Sequence, residues 1–151
     1  MPPAPDPIGR AEDLHMAFLA TPIAVRDSLA QMLALPPLCA LGEDGRGTAE
    51  LVLAEVLNNV AEHAYGEATG PVTVCLARTD GGVRCVIVDQ GQAMPGGILP
   101  EGRLPPAAEV PLDDLPEGGF GWFLIRSLTQ DLRYSRVDGC NRLHFVLPAG
   151  I

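Results

Sequence analysis

The stretch from Glu50 to Gly66, ELVLAEVLNNVAEHAYG, constrains the rest of the chain more than any other. Alanine, leucine and glutamate dominate it, and Gly66 stands where a helix would end. Thr48 fits an N-cap and Glu50 a first-turn carboxylate, so the sequence predicts a helix over residues 48–65. On a helical wheel of about 100° per residue, Asn58, Asn59, Glu62 and His63 fall within about 80° of Glu55. Val52, Leu53, Val56, Leu57, Val60 and Ala64 fill the rest. Such a rod is apolar over most of its surface and must be covered by other elements. A solvated face usually carries lysine, arginine and glutamate over a wide arc. This stripe is narrow and holds two adjacent amides, which weaken a helix interior for no local gain. Glu55 and Asn59, one turn apart on the same side, suit a general base and a metal-coordinating oxygen.

A chain of 151 residues, 47% of them hydrophobic, can build one domain with a real core. No apolar run approaches the ~20 residues of a membrane span, and the proline-rich, acidic N-terminus has no signal-peptide pattern. The expectation is a cytoplasmic protein with no membrane contact. Ten basic and nineteen acidic residues give a net charge of −9, which argues against direct nucleic-acid binding. All ten basic residues are arginine, so a lysine-dependent P-loop is excluded. Cys39, Cys75, Cys85 and Cys140 lack metal-ligand spacing and read as buried thiols; no structural zinc is expected.

Residues 1–10, with four prolines, read as a flexible arm before a single domain over 11–151. Leu14–Ala20 suits a strand, and Thr21-Pro22 starts a helix reaching about Leu35. Residues 36–47 read as a loop ahead of the long helix. Pro71–Arg78 and Val83–Asp89 form a hairpin about Asp80-Gly81-Gly82. Residues 92–117, with six prolines and no period, read as a functional lid. A helix follows from Trp122 to about Gln130, then a closing hairpin, Leu132–Arg136 and Arg142–Leu147. The order predicts an α+β fold: a mixed, mostly antiparallel sheet with helices on one face.

Two further motifs stand beside Glu55-x-x-x-Asn59. Asp89-x-Gly91 ends a buried strand with a carboxylate for a ligand's amino group, and the glycine admits a flat ring. Gly118-Gly119-Phe120-Gly121 opens a helix, where free N–H groups and the dipole favour an anion. In this order, around a long loop, they resemble the N, G1 and G2 boxes of the Bergerat-type ATPases. That class includes gyrase, the MutL-like repair proteins and the histidine kinases. The resemblance covers about residues 12–148 and implies the α/β sandwich of the histidine-kinase-like ATPases.

The local wording is most similar to the anti-sigma-factor serine/threonine kinases. Glu55 to Tyr65 resembles their E-x-x-x-N-x-x-x-H-A-Y helix, Gly119 to Arg126 their G-x-G-L-x-L-I-R segment, and Gly139 to Leu143 their G-G-N-x-L turn. Trp122 replaces a usual leucine and Cys140 a common glycine. The resemblance implies Glu55 as general base, Asn59 as Mg²⁺ ligand, Asp89 as acceptor from the adenine amino group and Gly91 as the space beside it. Gly118, Gly119, Phe120 and Gly121 would hold the phosphates of ATP. His63 would lie near the nucleotide or serve as a buried structural histidine. The implied partners are an anti-sigma-factor antagonist, as phosphoacceptor, and a sigma factor, with homodimerisation through the sheet and N-terminal segment.

The lid departs from what phosphoryl transfer favours. Between Gln92 and Phe120 its one cation is Arg103, against Glu101, Glu109, Asp113, Asp114 and Glu117. This supports an alternative: a nucleotide-binding regulatory module without kinase activity. A third reading is an α+β interaction domain with no nucleotide site.

Overall fold

The computed structural model describes residues 13–102 and 120–149. The predicted arm at 1–10, the lid from 103 onward, Gly118 and Gly119 lie outside the described residues.

The chain begins with strand β1 (Leu14–Leu19), then helix α1 (Pro22–Leu33), whose first turn is closed by Thr21 Oγ1 accepting from the Ala24 N–H at 3.1 Å. A 3₁₀ turn at Leu38–Ala40 leads to helix α2 (Glu43–Asn59), extended by a π-helical turn at Val60–Ala64. Strands β2 (Pro71–Thr79) and β3 (Gly82–Asp89) form the expected hairpin. Helix α3 (Phe120–Leu128) precedes the hairpin of β4 (Gln130–Val137) and β5 (Cys140–Pro148). The sheet order is β1-β2-β3-β5-β4; the α+β fold with a mostly antiparallel sheet is as expected, and among the described residues every pairing is antiparallel, with no parallel pair to make the sheet mixed.

The strands alternate as a half-covered sheet demands. Val72, Val74 and Leu76 of β2, Val83, Cys85 and Ile87 of β3, and Leu143, Phe145 and Leu147 of β5 are buried. They meet Val25, Leu29 and Met32 of α1, Val52, Leu53, Val56 and Leu57 of α2, and Trp122 and Ile125 of α3 in one core. The apolar arc of the long helix is therefore covered as its pattern requires.

Two helix boundaries differ from expectation. Helix α2 starts at Glu43, not after a Thr48 cap, with Gly42 in extended conformation as N-cap and Glu43 and Asp44 in the first turn. Gly45 and Gly47 each cost a helix about 1 kcal/mol, which is why the sequence argues for a later start. The burial of Gly45 and the dipole-aligned carboxylates offset that cost. Helix α3 runs over Phe120–Leu128, two residues earlier at each end than expected. The buried-thiol expectation holds for Cys85 alone; Cys39 is exposed, and Cys75 and Cys140 are half-buried. Burial pushes the Cys85 thiol well up from its ordinary pKa. Among the described residues no helix is long and apolar enough to cross a membrane.

Phe145 is fully buried at the centre of the core. Phe145→Ala should lower the unfolding free energy by about 3–5 kcal/mol, measured by urea titration.

Candidate functional site

The ends of α2, β3, β5 and α3 converge on a cleft of about 420 Å³. Its walls are largely apolar: Val56, Val60 and Ala64 from the long helix, Ile87 and Leu143 from the sheet, Met94, Pro95 and Pro100 from the loop, and Trp122 from α3. Its polar groups are Asn59, His63, Asp89, Gln92, Tyr134 and Asn141. A concave apolar site with a few convergent polar groups suits a flat, partly apolar ligand.

The predicted stripe on the long helix divides. Asn59 and His63 line the cleft, whereas Asn58 and Glu62 are exposed. The π-helical turn that separates the two cleft residues widens the helix between them. His63 is 74% exposed, 3.6 Å from Glu62 Oε2, which overturns its reading as a buried structural histidine. Asn59 Nδ2 is buried and has no hydrogen-bond partner among the described residues. A buried amide in that state costs about 1–3 kcal/mol, so its side chain is set for a partner from outside the fold.

Glu55 lies one turn before Asn59, half-buried, against the first turn of α3. A Cβ at Gly121 would strike the Glu55 carboxylate, so glycine there lets α3 begin beside it. Of the glycine motif, Gly121 and the Phe120 backbone are described, and they open α3 with its N-terminus toward the long helix. Trp122, the single tryptophan, is 9% exposed and belongs to both core and cleft wall.

Asp89 ends β3 at 7% exposure. Its Oδ1 accepts from the Gly91 N–H and from Asn141 Nδ2, each at 2.8 Å. Gly91 packs so tightly on the π-helical turn that a Cβ would meet the Ala64 carbonyl, and Gln92 N donates to that carbonyl at 2.6 Å. The glycine therefore serves backbone against backbone, beyond leaving room for a ring.

Three residues that sequence reasoning left without a role hold this corner. Tyr65 donates to the Pro71 carbonyl at 2.5 Å and accepts from the Gln90 N–H at 2.7 Å, tying the helix end to both hairpin strands. Burial raises its phenol above the ordinary pKa, while the Gln90 N–H acts the other way. The neutral phenol donates and accepts at once. Its contribution to stability is complete below the ordinary phenol value of 10.0 and is lost as pH rises through the higher folded value. Asn141 and Arg136, from the closing hairpin, bond to each other and to the Asp89 corner. The signal for them was the polar Asn141 at an inward-facing strand position, where apolar residues alternate.

Among the described residues no group of three or more His, Cys, Asp or Glu side chains could hold a metal ion. A divalent cation here would take most of its oxygens from a ligand, with Asn59 Oδ1 as the protein's contribution, while the unpaired Nδ2 of the same amide is a donor that suits an acceptor oxygen of that ligand.

Gly91→Ala should lower apo-protein stability by about 1–3 kcal/mol, because neither backbone can yield without losing the Gln92–Ala64 hydrogen bond; thermal unfolding without ligand measures it.

Comparison with known proteins agrees with this geometry. The family model described as the histidine kinase-like ATPase domain matches residues 18–147. The serine-protein kinase RsbW of Bacillus mycoides (strain KBAB4) is 26% identical over 90 residues, 60% of this chain and 56% of that protein. The serine-protein kinase RsbW of Halalkalibacterium halodurans is 30% identical over 90 residues, 60% of this chain and 55% of that protein. The chain thus spans little more than half the length of these curated relatives. The solved structure of the RsbU and RsbW domains of Rv1364c from Mycobacterium tuberculosis superposes with a TM-score of 0.58 at 21% identity, over 90% of this chain and 32% of that one, a likeness of fold. With a match over nearly its whole length, and with the antiparallel sheet, covering helices and strand-end cleft that the match entails, the chain belongs to the histidine kinase-like ATPase domain family.

Proposed function

We propose that the chain binds ATP in this cleft and phosphorylates a serine or threonine on a protein partner, an antagonist of an anti-sigma factor, while itself sequestering a sigma factor. The observation that carries the reading is Asp89 and Asn59 facing one cleft, with Asn59 Nδ2 buried and unpaired among the described residues and Glu55 one turn before it against the start of α3. The similarity to serine-protein kinases supports the choice of acceptor.

In this reading the adenine lies against Ile87, Leu143 and Met94, with its amino group on the free oxygen of Asp89. The phosphates extend past Asn59 toward the glycines before α3, Gly118 to Gly121, with His63 at the rim. A Mg²⁺ ion held by Asn59 and the phosphates would neutralise charge developing on the transferred group. Glu55 accepts the proton as the substrate hydroxyl oxygen bonds to the γ-phosphorus and ADP leaves. The work is regulatory, in the cytoplasm, by a chain that forms a homodimer and contacts neither membrane nor nucleic acid directly.

A second reading is a nucleotide-binding regulatory module without transfer activity. The acidic stretch around a lone Arg103 favours it, because cations near the γ-phosphate stabilise the transition state.

Mg-ATP should change the fluorescence of Trp122, the single tryptophan on the cleft wall. Asp89→Asn should weaken that binding about 10- to 100-fold, the worth of a charge-assisted hydrogen bond. Glu55→Gln should leave binding intact and reduce phosphate transfer to a co-encoded antagonist by about 10²–10⁴-fold. Binding without transfer by the unaltered protein selects the module, and absence of binding removes both readings.

A further inference from the structure

The closing hairpin does more than complete the sheet. Asn141, 6% exposed, uses its whole amide. Its Oδ1 accepts from Tyr134 Oη at 2.6 Å and from Arg136 Nη1 at 2.8 Å. Its Nδ2 donates to Asp89 Oδ1 at 2.8 Å and to the Gln92 carbonyl at 2.7 Å. A guanidinium has no acceptor, so the Arg136 contact fixes which end of the amide faces it, and the nitrogen must face Asp89. Arg136 Nη1 also holds the Gly91 carbonyl at 2.9 Å, and Tyr134 Oη accepts from the Met94 N–H at 3.0 Å.

This wiring has a consequence for the ligand. Asp89 Oδ1 already accepts two hydrogen bonds, from Gly91 N and Asn141 Nδ2. Oδ2 takes none from the described residues, so the carboxylate offers the cleft one acceptor instead of two. Guanine presents two adjacent donors, N1–H and the 2-amino group, and a carboxylate with both oxygens open would take them as a bidentate pair. Adenine presents a single amino group beside an acceptor nitrogen, which one oxygen satisfies.

We infer that Asn141, oriented by Arg136 and Tyr134, is a positioning residue that makes the site select adenine over guanine by occupying one oxygen of Asp89. The inference rests on the nucleotide-binding reading of the cleft and deepens it. Arg136 does not touch Asp89; it acts through the amide it orients. The same contacts bind Gly91, Gln92 and Met94 to β4 and β5, so the loop leaving the site moves with the hairpin that sets the selectivity.

The test is calorimetric titration of the full chain with Mg-ADP and Mg-GDP, read as the ratio of the two dissociation constants. Asn141→Ala leaves Oδ1 with the Gly91 N–H alone and opens its second acceptor position, and Arg136→Met removes one of the two donors that hold the Asn141 oxygen, loosening the amide's hold on Asp89. Both should reduce the preference for ADP about tenfold, largely through tighter GDP binding. Arg136→Lys retains a donor toward Asn141 Oδ1 and should keep most of the preference. Because Arg136 is exposed, its variants carry the test if Asn141→Ala fails to fold. An unchanged ratio in Arg136→Met, or equal loss of ADP and GDP affinity, overturns the positioning role while leaving the nucleotide site intact. If the unaltered protein binds neither nucleotide, the site reading falls and this inference with it.

Discussion

The buried carboxylate of Asp89 is the point on which the site depends. A charged oxygen at a strand end, out of water, must be surrounded by donors or the fold loses several kcal/mol. Those donors come from two directions: the Gly91 backbone two residues on and the Asn141 amide on the neighbouring strand. Satisfying the carboxylate therefore fixes the turn after β3, the register of β3 against β5 at Asp89↔Asn141, and the position of the loop that follows. The cleft exists because these requirements hold its far wall while α2 and α3 supply the near one.

The long helix meets this wall at its C-terminal end, where the geometry is least regular. Tyr65 clamps the π-helical turn to the start of β2 and the end of β3, and Gly91 presses on Ala64. Asn59 Nδ2 is left without a partner among the described residues just before that turn. Helix, turn and strand end are tightly determined around one deliberately unfinished polar group. That combination is what a binding site looks like when its ligand supplies the last hydrogen bonds.

Much of this was legible in the residues. The apolar arc of Val52, Leu53, Val56 and Leu57 demanded cover on several sides, and α1, the sheet and α3 provide it. Alternation in β2 and β3 and the Asp80-Gly81-Gly82 turn placed the central hairpin, and Asp89-x-Gly91 marked the strand end that borders the cleft. What the residues hid was tertiary. The glycines at 45 and 47 argue locally against helix, and burial of Gly45 overrides them. Asn141 and Arg136 lie in a hairpin whose own sequence says nothing about Asp89, because their contacts depend on β5 inserting between β3 and β4. The burial of individual cysteines and the exposure of His63 were likewise set by which neighbours the fold brings near.

The pairing of β3 with β5 also dictates when the site can come into being. Asp89 and Asn141 are 52 residues apart in the chain, and β1 must wait for β2, across two helices, before Leu14 can find Leu76. Contacts of this range are assembled late, after the entropy of closing long loops has been met. A ribosome-bound chain that has emerged only through α3 carries the long helix, the central hairpin and the cleft residues of α2 and β3, yet it lacks the strand that supplies Asn141 and Leu143 to the cleft. A ligand of this cleft therefore meets a finished site only in a chain whose β5 has already been threaded between β3 and β4.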